Sequence, residues 1–216
     1  MPVRLISLLE IKKYGIKAYG DGDESMGFYK DIGSYVYGET PYLTMFFIFI
    51  DLKKLSRDID FNKTLFIDLG CGVGKPVFFT NIFFNTFSLG IDNIQTFINK
   101  ANIIKNILIA LKKVYFVKDD IVNFLDNFED YFKNYFPNFN DIEYFIIYIP
   151  ATAFSKILLN NIKLKLLKFL NYFNNKKVYF IVLSKKLNIE SLSLIDKKDY
   201  YFSWFKTTVY FYENMY

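Results

Sequence analysis

The chain has 216 residues, 52% hydrophobic and 23% charged, which suits one domain with a sizeable core and excludes a disordered chain. It has no histidine, which removes histidine triads, a histidine general base and most zinc sites, and its single cysteine, Cys71, removes any internal disulfide. The net charge of +5 favours an acidic partner only weakly, because the lysines are scattered and no run of like charge marks a nucleic-acid arm.

The 26 Phe and 18 Tyr look like a base-stacking composition. Phe, Tyr, Ile, Asn and Lys, all abundant here, share A/T-rich codons, and codon bias accounts for the aromatics better than function does. No apolar run reaches the roughly 18 residues needed to span a membrane. MPVRLISLLE has too brief an apolar stretch before Glu10 for a secretory signal. A cytoplasmic monomer is expected, or a nuclear one in a eukaryote.

Residues 1–33 read as a poorly patterned lead, and 34–216 as the functional domain. The D-G-D-E run at Asp21–Glu24 lacks calcium-loop spacing, and no metal site is expected. In SYVYGETPY (Ser34–Tyr42), Gly38 permits a turn, and Glu39 and Thr40 offer polar groups before a helix from about Pro41 to Arg57. Its Leu43, Phe46, Phe47, Ile50 and Leu55 cluster toward one face. YGET alone reads equally well as a plain helix entry.

TLFIDLGCGVGKPVFF (Thr64–Phe79) organises the rest. Leu65, Phe66 and Ile67 form a short buried strand, Gly70, Gly72 and Gly74 a turn, and Lys75-Pro76 open a helix to about Asn85. Such a turn presents free N–H groups and a helix N-terminus to something polar. G-x-G-x-G spacing is not the dinucleotide fingerprint, and proline after Lys75 excludes a phosphate loop. Cys71 needs only to be small there, so a catalytic thiol is not expected.

Strand Phe87–Ile91 follows and is ended by Asp92, a carboxylate placed for the two hydroxyls of a ribose and equally for a helix N-cap. Helix Asn93–Leu111 leads to strand Val114–Val117. There Asp120 with Ile121 suits an adenine amino group and ring, or Asp119 or Asp120 simply caps helix Ile121–Phe128. Loop Asn134–Asp141, strand Tyr144–Ile149, helix Ser155–Asn171 and strand Val178–Leu183 come next. The basic, amphipathic pattern of that last helix (LKLLKFL) fits packing on a sheet better than a membrane surface. A polar loop and a hairpin close the chain, with a last strand near Thr207–Tyr212 on which Thr208, Tyr210 and Tyr212 share a face. The βα alternation with a terminal antiparallel pair predicts an α/β sheet with helices on both faces.

D-L-G-C-G-V-G (Asp68–Gly74) resembles the first motif of class I S-adenosylmethionine (SAM) methyltransferases. V-Y-G-E-T (Val36–Thr40), G-I-D (Gly90–Asp92), Asp120-Ile121, Ala151–Phe154 and Ser203-Trp204 narrow the resemblance to the Dot-type family (disruptor of telomeric silencing), protein-lysine methyltransferases without a SET domain. It runs from about Tyr35 to Tyr212. It implies a Rossmann-like, seven-stranded, mostly parallel sheet with an antiparallel last strand. It implies SAM as co-substrate, with Tyr37, Glu39 and Thr40 closing over its methionine end. Asp68, Gly70, Gly72 and Gly74 then line its middle, Asp92 takes the ribose, and Asp120 and Ile121 take the adenine. Phe154, Trp204 and Tyr210 line a substrate channel.

The chain departs from the family at Pro150, where members usually carry an asparagine that helps bind SAM and shape the acceptor site, and at Phe205, where glycine is expected. The basic tail and large N-terminal bundle of nucleosome-acting members are missing, so histone specificity is not carried over. The resulting expectation is methyl transfer from SAM to a protein lysine. An RNA or small-molecule methyltransferase and a SAM-binding module without turnover are the alternatives.

Overall fold

The computed structural model describes residues 40–108, 111, 113–137, 139–202 and 206–215. Among them seven strands form one sheet: β1 (Thr64–Leu69), β2 (Phe87–Asp92), β3 (Val114–Lys118), β4 (Tyr144–Ile149), β5 (Lys177–Leu183), β6 (Leu192–Tyr201) and β7 (Lys206–Asn214). The order is β3-β2-β1-β4-β5-β7-β6. Strands β1 to β5 pair in parallel, and β7 runs against both of its neighbours, β5 and β6. The expected seven-stranded, mostly parallel sheet with an antiparallel last strand is what forms.

The helices are α1 (Tyr42–Leu55), α2 (Lys75–Phe84), α3 (Gln95–Ile107), α4 (Ile121–Asp126), α5 (Phe128–Tyr135) and α6 (Lys156–Tyr172). Every residue of β1 is buried, as a strand covered on both faces requires. Leu65, Ile67 and Leu69 point into a cluster with α4, α5 and α6, whereas Phe66 points into one with α1, α2 and α3. This alternation places the six helices three to a face. Most of the phenylalanines among the described residues lie inside. Phe145, Phe169 and Phe173 meet at centroid distances of 4.5, 4.7 and 5.9 Å, with Phe128 5.0 Å from Phe169. Such pairs add roughly 0.5–1.5 kcal/mol each beyond the area they bury.

The sequence reading is corrected in four places. Pro41 is the N-cap of α1 rather than its first residue, because its ψ of 145° is extended. The stripe Leu43, Phe46, Phe47 and Leu55 faces outward, and α1 buries Thr44, Met45, Ile48, Phe49 and Leu52 instead. A helix apolar on all sides has no unique inner face by pattern, and the sheet chose the other one. The helix after β2 runs from Gln95 to Ile107 rather than from Asn93 to Leu111. The helix read as Ile121–Phe128 ends at Asp126, and a second helix, α5, follows from Phe128, so the loop starts only at Phe136 rather than at Asn134.

Candidate active site at the carboxyl edge of the sheet

After β1 the chain moves outward through β2 and β3, then returns to place β4 on the other side of β1. A crevice opens at such a reversal, beyond the carboxyl ends of the strands. The turn after β1 fills its floor. Gly70, Gly72 and Gly74 all have left-handed φ, at 91°, 54° and 83°. At Gly74 a Cβ would also lie 2.3 Å from the Phe116 ring, and at Gly90 on β2 it would lie 2.7 Å from Cys71 Sγ. Glycine is therefore required twice over at Gly74, by conformation and by space.

The turn's amides are not free, contrary to the sequence reading. Gly70 and Cys71 N–H donate to the Ile91 carbonyl at 2.8 and 2.9 Å, Gly72 N–H to Asp92 Oδ2 at 2.9 Å, and Gly74 N–H to the Cys71 carbonyl at 2.9 Å. The left-handed residues curl the chain back onto the end of β2, which consumes the donors an anion would need. The turn is flanked by two buried acids instead.

Asp68, on β1, is 1% exposed, and among the described residues its Oδ1 is buried without a hydrogen-bond partner. Burial, and then the nearby Asp92 charge, holds its carboxyl well above the usual range. Asp92 is 8% exposed; burial raises its carboxyl too, against the stabilising N–H bonds of Ile94 and Gly72. An unpartnered buried carboxylate oxygen costs about 1–3 kcal/mol or more. Two such acids at a glycine turn suit a ligand that brings positive charge and hydroxyl donors. The same surroundings push the Cys71 thiol up, by burial first and then by both aspartates, so it is no ready nucleophile.

Thr40 is buried beside this site, its hydroxyl 2.8 Å from Tyr148 Oη on β4. Tyr148 pairs in register with Asp68. Burial raises the Tyr148 phenol and the Asp68 charge adds to this, while the Thr40 bond opposes it. Sequence reasoning missed Tyr148, although a hydroxyl within the otherwise apolar end of YFIIYI was the available signal. Tyr37, Glu39 and Trp204 lie outside the described residues.

Asp92 does not cap α3: Ile94 does, and the Asp92 carboxylate bonds the Ile94 N–H at 2.9 Å. At the end of β3, Asp120 Oδ1 takes the Val122 and Asn123 N–H groups and caps α4, while Ile121 behind it is buried. Asp119 is held differently: Asn123 Nδ2 donates to both of its oxygens, and Tyr131 Oη donates to Oδ2 at 2.5 Å. Burial, followed by this bond, pushes the Tyr131 phenol up to about 12. Phe154 is 4% exposed and its ring lies against Gly70, close enough that a Cβ there would sit 3.3 Å away. Tyr210 is half-buried on β7, two strands across from β4 and beside Tyr212. Among the described residues no three acidic or cysteine side chains gather to hold a metal ion, and no helix is long and apolar enough to cross a membrane.

Solved structures share this architecture. YhhF of Escherichia coli, assigned as a methyltransferase, superposes with a TM-score of 0.52 at 12% identity, over 76% of this chain and 84% of its own. An RNA methyltransferase of Salinibacter ruber, solved with S-adenosyl-L-homocysteine, gives 0.50 at 16% identity over 82% and 93%. TrmN of Thermus thermophilus gives 0.51 at 12% over 77% and 48%. No curated protein matches the sequence. The fold these structures share is Rossmann-like, and a family match adds the class, a methyltransferase with SAM as its co-substrate. A family model described as histone methylation protein DOT1 matches residues 22–214, and the chain belongs to that family. The match starts well before Tyr35, inside the stretch read as a lead.

Proposed function

We propose that the protein transfers the methyl group of SAM to the side-chain amine of a protein lysine. The observation that carries this reading is the buried Asp68 Oδ1 beside the glycine turn, unpartnered among the described residues, in a chain matched to a histone-methylation family over residues 22–214. The residues present fit a sulfonium nucleoside, since two buried acids favour a cationic ligand and the glycine turn lets it approach the backbone closely.

In this reading Thr40, with Tyr37 and Glu39 before it, closes over the methionine end. Asp68, Gly70, Gly72 and Gly74 line the middle, Asp92 takes the ribose, and Asp120 and Ile121 take the adenine. When bound, SAM supplies an electrophilic methyl group, so the protein has chiefly to align the two partners. Phe154, with Trp204 and Tyr210, lines the acceptor channel and excludes water from it. Desolvation lowers an amine's pKa, so an acceptor lysine loses its proton to solvent as it enters and needs no protein base.

The test is transfer of labelled methyl from SAM to proteins of a cell lysate, followed by mass spectrometry of the product. Label in protein that survives nuclease and maps to lysine supports the reading. Pro150, which lacks the asparagine amide usual in the family, and the net charge of +5 favour RNA as the second acceptor. Label that nuclease removes selects RNA and ends the lysine assignment.

A further inference from the structure

The turn that ends β5 is strained. Ser184, a non-glycine residue, has φ of 68°, and the Lys185 N–H donates back to the Leu183 carbonyl at 2.8 Å. A carbonyl bonded two residues on around a positive φ is a γ-turn of the rare, strained hand. Strain of this kind persists only where surrounding structure imposes it. Here the Ser184 N–H is tied to the Thr208 carbonyl of β7 at 2.8 Å. The turn sends the half-buried Lys185 side chain across to the segment after β4, where its Nζ donates to the Phe154 carbonyl at 2.7 Å.

That carbonyl sits at a junction. On one side Phe154 presses its ring on Gly70, and in the short helical turn Ala151–Ala153 before it Ala153 N–H donates to the Pro150 carbonyl and Phe154 N–H to the Ala151 carbonyl. On the other side Ser155 caps α6 by accepting the Leu158 N–H. α6 is therefore anchored by its own cap, and the Phe154 carbonyl takes its bond from Lys185.

We infer that Lys185 is a positioning residue: its ammonium pins the post-β4 segment so that Phe154 stays against the glycine turn and shapes the acceptor side of the site. This inference rests on the methyltransferase reading for its functional half. The structural half stands independently.

The test compares wild type with Lys185→Met, which keeps length and loses charge, and with Lys185→Arg, which restores a cationic donor. Amide exchange across Ala151–Ser155 in the ligand-free protein is expected to rise about tenfold in Lys185→Met and to recover in Lys185→Arg, as loss of a charge-assisted bond implies. Methyl transfer is expected to fall about tenfold in kcat while the Kd for SAM stays within about twofold, because the donor-side acids are untouched. Unchanged exchange in Lys185→Met overturns the pin. Faster exchange with unchanged kcat, or equal losses in kcat and SAM affinity, overturns the positioning role. If the wild type transfers methyl to no acceptor, the functional half falls with the reading beneath it, while the exchange result still decides the pin.

Discussion

Two pairs of aspartates in this molecule are treated in opposite ways. Asp68 and Asp92, at the carboxyl ends of the central strands β1 and β2, are buried and held above the usual carboxylate range. Asp51 and Asp199, near the β6–β7 edge, are held below it. For Asp51 burial pulls upward, but hydrogen bonds from Lys198, Tyr200 and Lys54 outweigh it. For Asp199 the Thr208 hydroxyl and then Lys206 do the same at the open surface. The edge acids have cationic partners supplied by the chain. Among the described residues no cation pairs with the central acids, and Asp68 lacks even a donor for one oxygen. Acids kept at such a cost next to a left-handed glycine turn are what a site looks like when its partner arrives from outside.

The largest effect is expected from removing the space that keeps the central pair in place. Gly74→Ala puts a Cβ 2.3 Å from the buried Phe116 ring at a φ of 83°. It should destabilise the fold by about 3 kcal/mol or more, read as a lower midpoint in urea. Lesser damage would mean that Phe116 yields and the turn is less tightly specified than the contrast requires.

Asp68→Asn should divide stability from function. A folded carboxyl with a raised pKa binds its proton more tightly than the unfolded chain does. Its ionisation therefore weakens the ligand-free fold as pH rises from the ordinary value near 3.8 through the raised one. The variant should gain about 1 kcal/mol, or about 2–4 °C in Tm, at neutral pH and nothing at low pH, while losing about tenfold in SAM affinity. A loss of Tm at neutral pH would show that the carboxylate is satisfied in the free protein. Asp199→Asn should be the smallest change, with Tm and SAM affinity both indistinguishable from wild type, since surface pairs such as Lys206–Asp199 contribute little. A measurable loss there would blur the contrast from the other side.

Much of this contrast was legible in the sequence. β4 lies at Tyr144–Ile149 as predicted, and the other buried strands differ by a residue or two at their ends. Continuous apolar runs closed by Gly or Asp leave little alternative in an α/β chain. Asp68, Asp92 and the glycines were legible because a motif fixes their spacing. The inner face of α1 was not, since Leu43, Phe46 and Phe47 are as apolar as the Met45, Ile48 and Phe49 that the sheet selected. Nor was α5, absent from a reading that ended one helix at Phe128 and opened a loop at Asn134, although Phe128 and Phe132 bury it in the core beneath the sheet. Lys185 was missed because it acts across the sheet, on the Phe154 carbonyl, and no local pattern announces a contact made 31 residues away. The dual reading of Asp120 was a genuine ambiguity: one oxygen caps α4, and capping leaves the carboxylate able to accept another bond.

The central claim is that the two buried acids await a cationic nucleoside, and calorimetric titration of SAM tests it most directly. Wild-type protein is expected to bind SAM with affinity that rises with pH through the raised Asp68 range, releasing protons on binding, and Asp92→Ala is expected to lose about a hundredfold, as removal of a buried, hydrogen-bonded carboxylate implies. Absence of binding by the wild type, or equal, pH-independent affinity in wild type and Asp92→Ala, would contradict the account.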